Sequence, residues 1–514
     1  MHPDLTTKFL RGRWGLSWII AALLLPAGGV WAQERQTRVT PTFTTSLTWT
    51  DNVDATRRKE SDWLLELSPG LRVEREGGRM RGLLGARLRS VFHARDSGRN
   101  TTFVDLQGTG SFEAVENSLF IDADANIGRE NRSAFSGRAH GDTLSVNKDN
   151  EVRSWGLGPR LQFRVGDAAE GAVRYRSSWL DSGQNGFGKQ RQNLWTGQLG
   201  NPRATRLLGW DVSVQDARTR YRSSRQETTR KLGRATLYVN LAPQFRLRFT
   251  GGHESDDFGY GSKERGGVYG AGFDWNPTPR TAISVLAEER AYGSGYTASF
   301  RHRTARTIWT LAANRDISSA LDSMGGGLYQ DPRFQTYYND PALVAQFPDP
   351  VQREAYIRQI LGYGAAGGTA DFISNAHFLD EGWRAGVTLN GRRSALTLSV
   401  YHSRRKRLSA GSGLAVTDDF ALTDRIETSA VNVAFNHRLT PRSTFNAALM
   451  RSRSEGGAGA KLDTWRTMGS VGLTTRLGGR TQAGLTYRYQ SSDGATVDSD
   501  YSENSVTADL GLSF

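Results

Sequence analysis

The 514-residue chain contains no cysteine. That excludes disulfides, thiolate metal sites, a cysteine nucleophile and a lipid-modified N-terminal cysteine. Lysine is nearly absent too. Of the 66 basic residues only 8 are Lys, which leaves 58 Arg. After residue 32 there is no long apolar run. Only 37% of residues are hydrophobic and mean hydropathy is −0.53. A helical membrane protein is excluded on those grounds. A β-barrel is not, because only alternate residues of its strands face lipid.

Catalytic signatures are missing as well. The sequence has no HExxH, no phosphate-binding loop and no dinucleotide fingerprint. His93, His140, His253, His302, His377, His402 and His437 are scattered, and no Ser/His/acid grouping forms among them. Gly325–Gly327 and Gly364–Gly368 lie outside any strand-to-helix pattern and read as hinges. The expectation is a protein that is not an enzyme and holds no cofactor or metal. Net charge is +14 with pI near 10.0. No nucleic-acid motif accompanies it, so nucleic acid is not an expected partner.

What is present is alternation. Val506, Ala508, Leu510, Leu512 and Phe514 alternate with Ser505, Thr507, Asp509, Gly511 and Ser513. Period two gives a strand with one apolar and one polar face. Its length suits a tilted transmembrane strand. Leu510, Leu512 and the terminal Phe514 look like the assembly signal of outer-membrane barrels, which makes the barrel-assembly machinery an expected partner. At the other end Lys8, Arg11 and Arg13 precede Leu16–Pro26, an apolar run too short to span a bilayer. With Val30-Trp31-Ala32 as a cleavage site, residues 1–32 read as a secretory signal peptide. Residues 33–514 read as the barrel.

Alternating segments recur every twenty residues or so, joined alternately by short and long connections. Tight turns are expected at Val115–Ser118, Gly166–Ala169, Leu241–Gln244, Asn276–Pro279, Asn390–Arg393, Thr440–Ser443 and Leu477–Arg480. Arg129–Asn150 and Ser409–Ala421 read as long polar loops. The count is about 22 antiparallel strands, within a range of roughly 18 to 24. The fold class is therefore all-β, a single large transmembrane antiparallel barrel in contact with outer-membrane lipid. Trp49, Trp63, Trp179, Trp210 and Trp275 fall near strand ends, where interface girdles form.

One connection stands apart. Asp316–Asn375 is a loop of about sixty residues, far longer than most. Asp349-Pro350 reads as a helix N-cap and first position, with the helix running over about 350–361. Tyr356, Ile360 and Leu361 would form its apolar face. This loop is a gate or plug, or else an external loop.

Arginine dominates the polar strand faces. Arg81, Arg87, Arg89, Arg160, Arg164, Arg174, Arg176, Arg234, Arg246 and Arg248 fall on expected inward positions. Asp105, Glu113, Asp122, Asp124, Asp211 and Glu288 do as well. The arginines either contact anionic cargo or pair with these acids across neighbouring strands.

Several segments resemble one family. Thr45–Val53 (TSLTWTDNV) resembles its first strand and following loop, and Leu67–Leu71 (LSPGL) its second strand. His302–Leu311 resembles a hairpin before the long loop. Phe372–Phe378 and Trp383-Arg384-Ala385 resemble the segment after it. The family is the PEP-CTERM system-associated outer-membrane proteins, linked to exosortase and extracellular-polysaccharide gene clusters. The resemblance implies a pore for export of extracellular polysaccharide, with anionic polysaccharide and a periplasmic export protein as partners. Two alternatives stay open: a non-conducting barrel that binds surface polymer or sorted proteins, and an anion-preferring porin for small solutes. A TonB-dependent transporter would need a plug domain ahead of its first strand, and here that strand is expected near Pro41.

Overall fold

The computed structural model describes residues 36–131, 133–135, 149–182, 189–222, 226–258, 263–319, 372, 374–408, 414, 418–457, 462–494 and 499–514. The alternating segments become twenty-two strands. The first seven are β1 (Gln36–Thr50), β2 (Asp62–Glu76), β3 (Met80–His93), β4 (Thr101–Val115), β5 (Leu119–Asn131), β6 (Asp149–Val165) and β7 (Ala169–Asp181). Next come β8 (Lys189–Asn201), β9 (Leu208–Tyr221), β10 (Glu227–Ala242), β11 (Phe245–Asp257), β12 (Lys263–Thr278), β13 (Thr281–Arg290), β14 (Gly293–Arg303) and β15 (Thr307–Ser318). The last are β16 (Phe378–Asn390), β17 (Ser394–Arg407), β18 (Arg425–Arg438), β19 (Ser443–Gly456), β20 (Asp463–Arg476), β21 (Thr481–Gly494) and β22 (Tyr501–Ser513).

Each strand pairs antiparallel with the next, as in β1–β2 and β21–β22. β22 then pairs with β1. The sheet closes on itself and leaves no edge, which a backbone in lipid requires. At the seam the Thr48 and Thr507 hydroxyls lie 2.9 Å apart, and the Phe514 N–H donates to the Pro41 carbonyl at 2.9 Å. Both barrel ends therefore sit on one rim. The short turns sit there too, which makes it the periplasmic rim, and the strands joined by the long connections end at the opposite, external rim.

The short turns follow from residue chemistry. Gly77 (φ 108°) and Gly78 (φ 62°) provide the left-handed backbone of the β2–β3 turn. Asn117 (φ 54°) does so in the β4–β5 turn. The expected Asn276–Pro279 turn is displaced. β12 continues to Thr278, and only Pro279 and Arg280 connect it to β13. A β-bulge between Trp275 and Thr278 absorbs one extra residue, an irregularity that alternation does not reveal. Turns at 202–207 and 304–306 join β8 to β9 and β14 to β15.

Alternation also sets the two faces. Trp63, Leu65, Leu157, Val214, Leu237, Phe249, Leu311, Leu449 and Leu485 are exposed on the outside. In water such a belt would be an aggregation surface, and in a bilayer it is the lipid-facing band. The five tryptophans named above share this outward phase. Trp49 pairs with Trp63, and Trp179 stacks on exposed Trp155 with ring centroids 6.3 Å apart. No helix among the described residues is long and apolar enough to cross a membrane. A closed barrel with an apolar belt and a polar interior is an integral protein of the outer membrane of a Gram-negative bacterium.

The expected signal peptide, residues 1–32, lies outside the described residues. So do the expected helix at about 350–361 and its residues Asp349, Pro350, Tyr356, Ile360 and Leu361. Boundaries of the long connections shift. Asp316 belongs to β15, and the 129–150 loop shrinks because β5 runs to Asn131 and β6 begins at Asp149. In the 409–421 loop the sequence contains one helical turn, α1 (Asp419–Leu422), capped by Asp418 through the Phe420 N–H.

Candidate functional site in the barrel lumen

All ten arginines singled out from the sequence occupy the inward phase of their strands. Nine of them meet a carboxylate. Arg87 contacts Asp105 at 2.7 Å and Arg89 contacts Glu66 at 2.7 Å. Asp122 stands between Arg160 (3.0 Å) and Arg174 (3.5 Å), and Arg176 contacts Asp124. Arg234 meets Glu288 at 2.9 Å. Asp274 is shared by Arg246 (2.6 Å) and Arg248 (3.4 Å). Arg164 meets Glu170 at 2.7 Å near the periplasmic rim. Arg81 alone has no ion-pair partner among the described residues. The arginines that look like anion contacts in the sequence are thus mostly held by cross-strand acids.

Sequence reasoning missed other members of this network. Arg290 and Glu254 form a 2.5 Å pair, both all but inaccessible to solvent, and Arg230 lies 3.8 Å from Asp256. Glu254 also accepts from Arg290 Nε at 2.8 Å and from the Ala291 N–H. Both pairs join residues of neighbouring or next-but-one strands, and a strand pattern gives no signal of which register brings them together.

The charges are unevenly spread around the wall. They concentrate on β2–β7 and β10–β13. From β18 to β20 the inward positions are largely Thr, Ser, Ala, Asn and Met, as in Thr428, Ala430, Asn432, Ala434, Met450, Ser452 and Met468. One side of the lumen is a salt-bridged lattice and another is small and hydroxyl-rich.

At the external end the connections fold inward and bridge the lumen. Residues 374–377 precede β16, yet His377 Nε2 lies 3.0 Å from the Tyr221 hydroxyl of β9 and 2.9 Å from Thr228 Oγ1 of β10. Gln190 of β8 donates to the Asn375 side chain. β9 is seven strands from β16 around the wall, so these contacts cross the interior. Phe258 packs beside the imidazole at 5.5 Å. Burial, assisted by the Arg230 charge, pushes the His377 pKa down to about 3. The ring is neutral, and its Nε2 is within hydrogen-bond distance of both hydroxyls.

A second bridge comes from the β5–β6 connection. Arg466 of β20 donates to the Ala134 carbonyl at 2.6 Å, and Thr464 donates to the Phe135 carbonyl at 3.2 Å. The Ala134 N–H donates to Asp419 at 2.6 Å. Next to it Asp418 accepts from Ser374 Oγ at 2.9 Å and from the Asn375 N–H at 2.9 Å. Burial raises the pKa of both carboxyls, that of Asp419 to about 7 with Asp418 adding to the rise. Ala134, Phe135, Phe372, Ala376, Phe378, Phe420 and Ile426 form a dry cluster where these segments meet. Arg405 lies over the rings of Phe372 and Phe378.

The C-terminal residues Leu510, Leu512 and Phe514 are outward, consistent with a lipid-facing last strand. Phe514 is 61% exposed. Among the described residues no His/Cys/Asp/Glu cluster suits a metal ion.

No protein-family model and no curated protein matches this sequence. Solved structures do. The siderophore receptor PirA from Pseudomonas aeruginosa is similar at 9% identity and a TM-score of 0.46, over 94% of this chain and 81% of that one. PirA from Acinetobacter baumannii is similar at 7% identity and a TM-score of 0.47, over 94% and 81%. OccAB2 from Acinetobacter baumannii aligns over 93% of this chain and 98% of its own at 10% identity, with a TM-score of 0.36.

Proposed function

We propose that this barrel is an outer-membrane channel for extracellular polysaccharide, its external end controlled by the inward-folded connections. The observation that carries the reading is the pair of bridges across the lumen, 374–377 to β8–β10 and 133–135 to β20. A 22-stranded wall encloses more space than its own side chains fill. The described wall is polar, its charges mostly paired and its other positions hydroxyl-rich. A hydrated, uncommitted surface of that kind lets a long polar chain slide past without trapping it. The polysaccharide itself, the exosortase link and a periplasmic export partner rest on the family resemblance of Thr45–Val53, Leu67–Leu71 and His302–Leu311. Transport needs positioning and electrostatics and no covalent chemistry, so we assign no catalytic residue.

Conductance tests this reading. The Asp418→Ala variant frees Ser374, the Asn375 N–H and the α1 cap together. It should conduct in planar bilayers more strongly or more often than wild type. Folded barrels that stay silent in both forms would point to the non-conducting, polymer-binding barrel.

A further inference from the structure

The wall arginines singled out above are mostly paired, but a set of arginines without ion-pair partners among the described residues lies on the periplasmic rim. Seven turns from β8–β9 to β20–β21 contain no Asp or Glu, and six of them contain Arg. Five carry it at one fixed place. Arg280, Arg306, Arg393, Arg442 and Arg480 each immediately precede a strand, namely β13, β15, β17, β19 and β21. Each is followed by Thr or Ser: Thr281, Thr307, Ser394, Ser443 and Thr481.

The turn uses only the backbone of these residues. The carbonyls of Arg280, Arg306, Arg393, Arg442 and Arg480 accept from Arg303, Asn390, Arg438, Arg476 and Ser513 at 2.6–2.9 Å. The N–H groups of Arg280, Arg306 and Arg442 donate to Thr278, Thr304 and Thr440 at 3.1–3.2 Å. Any residue other than proline offers those groups. Nothing in the turn calls for a guanidinium, yet five turns in succession present one. All five are exposed, and none forms an ion pair with a carboxylate among the described residues.

Their phase gives the direction. The residue two places on from each arginine (Ala282, Ile308, Ala395, Thr444 and Gln482) is on the lumenal side of its strand, opposite exposed neighbours such as Trp309, Leu398 and Leu485. Strand alternation places the arginines on that same side. Strands lie about 4.8 Å apart, so successive arginines on alternate strands stand roughly 10 Å apart around the mouth. Arg280 also lines an open cavity of about 700 Å³ together with Arg301 and Arg303, and no acid enters that lining.

We propose that this arginine arc is the capture site for a linear polyanion bearing carboxylates or phosphates, at the periplasmic mouth of the lumen. A lone anion needs one guanidinium. A regular row suits a chain with charges at intervals, and the lumenal phase favours a threading chain over lipid headgroups outside the wall. The proposal deepens the channel reading by naming the charge of the cargo and its point of entry. Binding is measured without conduction, so either can fail alone.

The test uses the full chain refolded in phosphatidylcholine nanodiscs, with polygalacturonate and polyphosphate as probes followed by calorimetry. The variant R280Q/R306Q/R393Q/R442Q/R480Q should weaken binding about tenfold or more and flatten its salt dependence. The all-Lys counterpart keeps the charge and should stay within about threefold of wild type. A control on the external rim, R57Q/R58Q/R95Q/R220Q/R222Q, should bind as wild type does. Heat-modifiable migration checks that every variant has folded. Unchanged binding in the five-Gln variant overturns the proposal, and so does an equal loss in the control. So would wild type that ignores both polymers but retains phosphatidylglycerol in mixed-lipid discs, because the arc would then serve lipid.

Discussion

The Tyr221 hydroxyl and His377 Nε2 lie 3.0 Å apart, although their strands are seven places apart around the wall. Thr228 completes the contact at 2.9 Å. A neutral imidazole wedged between two hydroxyls pins the end of the longest connection to the far wall. Removing one partner leaves a buried polar group unmatched, at a cost of about 1–3 kcal/mol. The Tyr221→Phe and His377→Ala variants should therefore exchange the amide hydrogens of residues 374–378 faster, by about tenfold or more. The amides of β20 should exchange as before. Unchanged exchange in His377→Ala would mean the bridge is not held by this contact.

Asp419 and His377 respond to pH in opposite senses. The Asp419 pKa is raised to about 7 by burial. Its folded form holds a proton that the unfolded form has lost, so its contribution is complete below the ordinary carboxylate range and disappears as pH rises through about 7. The His377 pKa is lowered to about 3. Its contribution is present above the ordinary imidazole range and disappears as pH falls through about 3. In Asp419→Asn the external cluster should no longer weaken between pH 4 and 7. Hydrogen exchange of residues 133–135 across that range reads the effect, and a slope identical to wild type would contradict it.

The Arg290–Glu254 pair tests the energetics of the covered wall. Both side chains are buried, with bonds at 2.5 and 2.8 Å. Glu254→Ala strands a buried cation and should lower stability by about 3–5 kcal/mol. The double variant Glu254→Met/Arg290→Met should recover most of that loss. Urea unfolding of the refolded barrel gives both numbers. If the double variant is no better than the single one, the pair contributes more than mutual neutralisation.

Phe514 offers a prediction about assembly. Its N–H closes the seam on Pro41 at 2.9 Å, while its ring is exposed. The seam needs only the backbone. Phe514→Ser should refold in detergent as wild type does, yet reach the outer membrane at about a tenth of the wild-type level, a measure of assembly-machinery recognition. Equal membrane levels would show that the ring carries no assembly signal.

Much of this architecture was legible because alternation is a direct imprint of a two-faced wall. Leu510 and Leu512 are outward and Asp122 and Arg160 inward for the same reason, and six of the seven expected tight turns fall at strand junctions marked by Gly, Pro or Asn. What alternation cannot carry is pairing. Arg160 and Asp122 are thirty-eight residues apart, and only their register across β5 and β6 brings them within 3.0 Å. The bridge from His377 to Tyr221 depends on a connection folding inward, which no local pattern encodes. The Asn276–Pro279 turn was misplaced because a bulge at Trp275 breaks the two-residue rhythm. The periodic arginines before β13 to β21 were visible in the sequence. They became a pattern only once the strand starts were fixed.

Single-channel recording across a planar bilayer tests the channel claim most directly, with wild type set against a deletion of Gly325–Gly368. Wild type should show small or rare openings, and the deletion large, stable currents through a pore wide enough to admit neutral polymers. Two correctly folded, inserted barrels that both remain silent would contradict it.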